Sequence, residues 1–360
     1  MGHVIAISNV KGGVAKTSTS SALGRSISKL GYSVLLVDLD AQADLTTSVG
    51  IAQSNVAYGT KDLFSPGLLE KLGINNFILP TIYEKLDIMP SKGEIDWYDK
   101  GLAEANDSLL KDLFDTKLRE RYDFIVMDCA PAINIYALNA LTAADLVIVP
   151  TQAEYFSANS LIKMMRIIRH VRQRGRPELA YRVLVTMYVS RTRIQQTVME
   201  EFRKGFGENL LDSYIEIDTK IRESQSAHIP IVDYKPISRG SIQYQNLCRE
   251  VMEYFKQNDK QPQQDIPPAE QATTKNEDAL QAFCPFLGFK DDIKTVMNYP
   301  SDLNHCHRAS KAGVPKLEHQ TTNCLTQSYL ACPMLKTSKK IALLPELQER
   351  PPSLWNRIGF

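Results

Sequence analysis

A doubly wound α/β fold with a mostly parallel sheet is what this 360-residue sequence predicts. Three observations carry that expectation. Apolar, β-branched runs alternate with helix-period stretches over residues 1–257. The runs are nearly continuous rather than alternating, which suits strands buried on both faces. The chemically unusual residues cluster where those runs end, and open α/β sheets bind their ligands at the carboxyl ends of strands.

The elements follow in order. "HVIAISNV" (3–10) reads as the first strand, and "KGGVAKTS" (11–18) leads from it into a helix over 17–30. "SVLLVDLD" (33–40) is the second strand and "DFIVMDCAP" (123–131) another, separated by a helical pattern at about 102–120. "DLVIVPT" (145–151), a helix over 157–173, "RVLVTMY" (182–188) and a helix over 192–205 complete the alternation. Beyond residue 257 the composition changes. The segment 258–279 is polar, proline-bearing and without aromatics, so it reads as a flexible linker. A small Cys/His segment follows at 280–334, and a tail at 335–360.

A hydrophobic content of 43% over this length allows a large core and about two domains. A net charge of +1 points to no acidic partner by itself. No apolar run reaches the roughly 18 residues needed to span a bilayer, and no basic-then-apolar leader opens the chain. The reading is therefore cytoplasmic. Six cysteines in such a chain suggest thiols or metal ligands rather than disulfides.

The stretch at 11–18 has the setting of a phosphate loop, between a buried strand and a helix N-terminus. Gly12 and Gly13 let backbone approach an anion, Lys16 can neutralise phosphates, and the Thr17 hydroxyl can reach Mg²⁺. The common pattern requires glycine at positions 10 and 15, where this chain has Val10 and Ala15. Two other buried strands end in carboxylates, Asp38 and Asp40 in "VLLVDLDAQ" and Asp128 in "FIVMDCAP". A hydrated Mg²⁺ on a triphosphate gives them a purpose, as does a water to be oriented for phosphoryl transfer.

Together "KGGVAKTS", "VLLVDLDAQ", "FIVMDCAP", "PTQAEYFSANSL" and "ESQSAHIPIVDYKPISRGSIQYQNLCREV" resemble the ParA/MinD family of deviant Walker ATPases, in its ParA/Soj branch. The resemblance covers about residues 1–257 and implies a P-loop NTPase fold. Its loop pattern is K-G-G-x-x-K-[ST], which tolerates Val10 and makes Lys11 a signature lysine that reaches the phosphates of a second copy in an ATP-sandwiched homodimer. The resemblance further implies that Lys16 is the Walker lysine and Asp40 positions the hydrolytic water. Thr17 and Asp128 then belong to the Mg²⁺ shell, and Asp38 supports it. Ser18 and Thr186 are assigned to the nucleotide site with Gly12 and Gly13. Two departures stand out: Ala15 replaces a usual glycine, and Ala41 a usual proline.

ParA-like proteins couple ATP to nonspecific DNA binding, reset by an adaptor that stimulates hydrolysis. Residues 160–205 hold eleven Lys/Arg against three acids. Part of this is a helix stripe of Lys163, Arg166, Arg169 and Arg172, opposite an apolar face that contains Leu161, Met164 and Ile168. By the resemblance Arg191, Arg193, Lys220 and Arg222 are the preferred DNA contacts, which places the protein on the nucleoid. Membrane recruitment is not expected, because Pro345, Pro351 and Pro352 interrupt any terminal amphipathic helix.

Outside the resemblance, Cys284, Cys306, Cys324 and Cys332 are spaced C-x21-C-x17-C-x7-C among three histidines. Zinc or an iron–sulfur cluster would suit them, yet no close C-x2-C pair appears. Reduced structural thiols and a redox role remain alongside. Two alternatives to a DNA-partitioning ATPase therefore stand. One is a nucleotide-dependent metal-cluster carrier, and the other is an ATP-binding switch with weak turnover, prompted by Ala15.

Overall fold

The computed structural model describes residues 2–92, 107–154 and 157–259, with the backbone of Leu287–Gly288 and His305–Cys306. Residues Met1–Pro262 form one compact unit and Gln263–Phe360 a second. In the second, the described residues are two short antiparallel strands, with Cys306 opposite Leu287.

The first unit is built on an eight-stranded sheet. Its strands are β1 (His3–Ile7), β2 (Val34–Leu39), β3 (Leu79–Pro80), β4 (Leu86–Met89), β5 (Phe124–Cys129), β6 (Leu146–Gln152), β7 (Ala180–Tyr188) and β8 (Leu210–Glu216). Their spatial order is β3-β4-β2-β5-β1-β6-β7-β8. All pairings are parallel except β3 with β4, the antiparallel edge. The chain leaves β1 for β2 on one side and returns to β6 on the other. The order thus reverses at β1, the place where doubly wound sheets open a crevice.

Strand β1 shows how the sheet is covered on both faces. Val4 and Ala6 enter one core with the helices α4 (Leu109–Leu113), α5 (Ile135–Ala143), α6 (Ser157–Gln173) and α7 (Arg193–Phe206). Ile5 and Ile7 enter the other with α1 (Lys16–Lys29), α9 (Ile231–Tyr234) and α10 (Arg239–Asp259). Two further helices, α2 (Asp44–Ser48) and α8 (Thr219–Ser226), lie near the strand ends, and the short α3 (Leu68–Leu72) packs against the first core. Helix α1 packs close to β2 because Gly24 has no side chain: a Cβ there would meet Leu36 Cδ2 at 2.5 Å.

The continuous runs predicted as strands are all present, with boundaries shifted by a few residues. Strand β8 is a strand that the continuous-run criterion misses. It is an edge strand whose residues are only partly buried, so its sequence "LLDSYIE" mixes polar and apolar positions. The pattern at 102–120 resolves, within the described residues, into the five-residue α4 and a π-helical turn over Phe114–Leu118. Helix α10 continues to Asp259, two residues into the expected linker.

At the amino ends of the strands Arg119 clamps several segments. Its guanidinium donates to Asp145 Oδ2 at 2.7 Å and Oδ1 at 2.9 Å, to Asp115 Oδ1 at 2.7 Å, and to the Gly2 carbonyl at 2.7 Å. The bidentate geometry suits the planar fork of arginine. Burial alone would lower the Arg119 pKa, but the two carboxylates outweigh it and raise it.

Candidate active site

Residues 11–18 leave β1 and close into α1 through a left-handed turn. Gly13 has φ 69°, a conformation glycine adopts freely. Ala15 follows with φ 63° and ψ 33° as the N-cap of α1. There a methyl group costs about 1 kcal/mol. The usual glycine of this position is thus missing where the backbone calls for it.

The loop forms one wall of a cleft of about 590 Å³. Gly12, Gly13, Lys16, Thr17, Ser18 and Asp40 line it. Opposite stand Met187 near the end of β7, the end of β8, and Arg222, Gln225 and His228 of α8 and its following turn. Gln225 Nε2 donates to Ser18 Oγ at 2.7 Å, which ties α8 to α1.

Lys16 is buried, and its ammonium donates to the Lys11 carbonyl at 3.1 Å. Burial lowers its pKa, while Asp128, then Cys129 and Asp40, pull it back up. A buried cation with one such bond is suited to receive an anion. Behind it, Asp128 is buried at the end of β5. It accepts from Thr17 Oγ1 at 2.7 Å and from Ser20 Oγ at 2.9 Å. Burial and the neighbouring Asp38 push the Asp128 carboxyl up to about 8.

Asp38, opposite Asp128 in the β2–β5 register, is fully enclosed. Its Oδ2 accepts from Thr46 N at 2.8 Å and Thr46 Oγ1 at 2.7 Å, and its Oδ1 from Asp40 N at 3.1 Å. Burial pushes it up to about 7. Asp38 does not line the cleft; it fixes the turn that presents Asp40. Asp40 is half-buried, lines the cleft, and accepts from Gln42 N at 3.0 Å.

A divalent cation fits this donor set. Thr17 offers a hard oxygen to the cleft, and Asp128, accepting the hydrogen bond of the Thr17 hydroxyl, orients that oxygen from behind. Such a site leaves most of the coordination to water and to the anion, as Mg²⁺ prefers. Thr186 is placed differently from a ligand contact. It is fully buried, and its hydroxyl lies 3.1 Å from the Val14 carbonyl and 3.2 Å from that of Thr151. Its part is to hold the loop from beneath.

Comparison with known proteins settles the family. Residues 2–181 match a family model described as an AAA domain. The chain is 34% identical over 254 residues to the sporulation initiation inhibitor protein Soj of Bacillus subtilis, covering 70% of this chain and 98% of that protein. It is 31% identical over 254 residues to the chromosome partitioning protein ParA of Caulobacter vibrioides, covering 69% and 94%. The chain belongs to the ParA/MinD family of P-loop ATPases.

Solved structures of the fold agree. Cobyrinic acid a,c-diamide synthase of Mycobacterium smegmatis, with bound ADP and magnesium, superposes with a TM-score of 0.61 at 27% identity. That match covers 73% of this chain and 98% of the other. The septum site-determining protein MinD of Pyrococcus horikoshii, complexed with Mg-ADP, gives a TM-score of 0.57 at 25% identity, covering 71% and 98%.

In this ParA/MinD chain Lys11 turns away from its own cleft. Its ammonium donates to Gln152 Oε1 at 2.8 Å, Glu154 Oε2 at 3.0 Å and Ser157 Oγ at 3.2 Å. Of the basic residues singled out, Arg191 and Arg193 are exposed around the turn from β7 to α7, and Arg222 is exposed at the cleft. Lys220 is instead engaged by Glu223, at 2.8 and 2.7 Å from its two oxygens. The basic count over 160–205 also overstates the free charge. Arg176 is buried against the Thr142 and Ala144 carbonyls. Arg172 donates to the Leu179 carbonyl, and Arg182 to the Tyr181 carbonyl. On α6, Leu161, Met164 and Ile168 are buried while Lys163, Arg166 and Arg169 face outward, as the periodicity predicts.

The side chains of Cys284, Cys306, Cys324 and Cys332 lie outside the described residues. Among the described residues no group of three His, Cys, Asp or Glu side chains is placed to hold a metal. Cys129 and Cys248 are buried thiols, and burial pushes each up to about 12, consistent with packing rather than reactivity. Among the described residues no helix is long and apolar enough to cross a membrane. Sequence reasoning missed Thr46 and Gln152. Both act by holding another site residue, and no spacing rule marks such a contact.

Proposed function

We propose that this ATPase binds MgATP, pairs with a second copy across the nucleotide, and in that form binds DNA without reading its sequence. It would position or partition a DNA element or other large cargo on the nucleoid, and an adaptor that stimulates hydrolysis would reset it. One observation carries this reading. Arg191, Arg193 and Arg222, none of which has an acidic partner among the described residues, stand at the same end of the sheet as the cleft. Nucleotide state and basic surface therefore share a rim, and a dimer would double that surface. The relatives named for chromosome partitioning support it. Within this reading residues 1–257 act as the ATPase domain, and the segments after them are separate in role.

The test is binding of the full chain to nonspecific duplex DNA, with ATP and Mg²⁺ against ADP, at several salt concentrations. The expected result is ATP-dependent binding that weakens steeply with salt and is lost in Lys11→Ala and Arg191→Glu. Indifference to DNA in every nucleotide state would overturn it.

A second reading, an ATP-binding switch with slow turnover, is favoured by the left-handed Ala15. The strained methyl lies between Val14 and Lys16, next to where phosphates dock. Ala15→Gly should relieve about 1 kcal/mol of backbone strain in the folded chain, and on this reading removal of the methyl should also speed single-turnover hydrolysis. An unchanged rate would remove Ala15 as the cause.

A further inference from the structure

Gln152 ends β6 and touches three separate parts of the site. Its Oε1 accepts from the Lys11 ammonium at 2.8 Å. Its Nε2 lies 3.4 Å from the Gly13 carbonyl and 2.9 Å from Met187 Sδ. The ammonium dictates the amide's orientation, because a cation requires the oxygen end. The NH₂ end must then face the loop carbonyl and the sulfur. Gly13 and Met187 line the nucleotide cleft, whereas Lys11 does not. Met187 is also left-handed, with φ 53°. A side chain of that length is disfavoured there and persists where neighbours hold it.

We propose that Gln152 is a positioning residue that couples the place of Lys11 to the shape of the nucleotide cleft. While Lys11 occupies Oε1, the amide is locked with its donors on Gly13 and Met187. When Lys11 leaves, Oε1 loses its cationic partner, the amide is free to turn, and both cleft elements lose an anchor. This rests on the proposed reading in which Lys11 swings to a second copy. By reciprocity, nucleotide in the cleft biases where Lys11 resides.

A double-mutant cycle tests it. MgADP is titrated calorimetrically into the full-length wild type, Lys11→Ala, Gln152→Leu and the double variant, with folding checked by circular dichroism. Removing the Lys11 charge weakens MgADP directly in any background. The coupling predicts a further loss of about threefold or more that appears only when Gln152 is present. Equal effects of Lys11→Ala in both backgrounds, with MgADP still bound, would overturn the coupling and leave the ATPase reading intact. Failure of the wild type to bind MgADP would overturn both. Should Gln152→Leu not fold, Gln152→Met keeps the length of the side chain, adds no charge and removes the amide. It must shrink the Lys11→Ala effect in the same way, and an unshrunken effect counts against the proposal.

Discussion

Lys16→Ala should abolish practical nucleotide binding while leaving the chain folded. The ammonium is buried, has the Lys11 carbonyl as its hydrogen-bond acceptor, and lies near Asp128 and Asp40. Anionic phosphates are the partner that such a cation lacks. Removing it takes away the charge-assisted bonds and leaves the phosphates facing carboxylates. Truncating one member of a desolvated charge pair costs about 3 kcal/mol or more, which is a loss of roughly 150-fold in affinity. Calorimetric titration with MgADP measures it directly. The fold should survive, because Lys16 begins α1 and that helix is anchored further along by Leu23 and Ile27 in the core. A variant that retained wild-type affinity would mean that the loop binds its anion through backbone amides alone.

Most of this site was legible because its parts are local. A strand, a glycine-bearing turn and a lysine fall within one short stretch, and each carboxylate stands at the end of an apolar run. Parallel pairing then aligns those ends, so that Asp38 meets Asp128 without any sequence signal naming the pair. What stayed hidden depends on contacts between distant residues. Thr186 looked like a ligand contact by resemblance, but its hydroxyl is committed to backbone carbonyls below the loop. Lys220 looked like a free cation until its i,i+3 neighbour Glu223 claimed it. Charge counting could not separate Arg176, buried on carbonyls, from Arg169, exposed on α6. Strand β8 escaped because an edge position demands no continuous apolar run.

The two enclosed carboxylates divide the labour by position. Asp128 holds the Thr17 hydroxyl and Asp38 holds the backbone of Asp40, so neither needs to touch the reacting atoms. Both are pushed up towards neutral pH by burial. A bound cation favours the ionised forms and would offset that effect of burial.

Asp40→Ala should separate binding from turnover. Asp40 is the half-buried carboxylate of this set that faces the cleft, and two contacts fix it: its amide donates to Asp38 and its Oδ1 accepts from Gln42 N. A carboxylate so held can orient a water and accept its proton, and groups of this kind contribute roughly 100-fold or more to rate. Its removal leaves Gly12, Gly13, Lys16 and Thr17 in place, so MgATP affinity should fall little. It could even rise, because a negative charge facing the phosphates is lost. Single-turnover hydrolysis beside equilibrium binding of MgATP reads both quantities. A fall of at least about 100-fold in the first with the second within a few-fold is the expected pattern. Parallel loss of both would make Asp40 a structural support of the loop. Unchanged hydrolysis would transfer the water-positioning role to another residue of the cleft wall, and Asp44, which also lines it, is the first to examine.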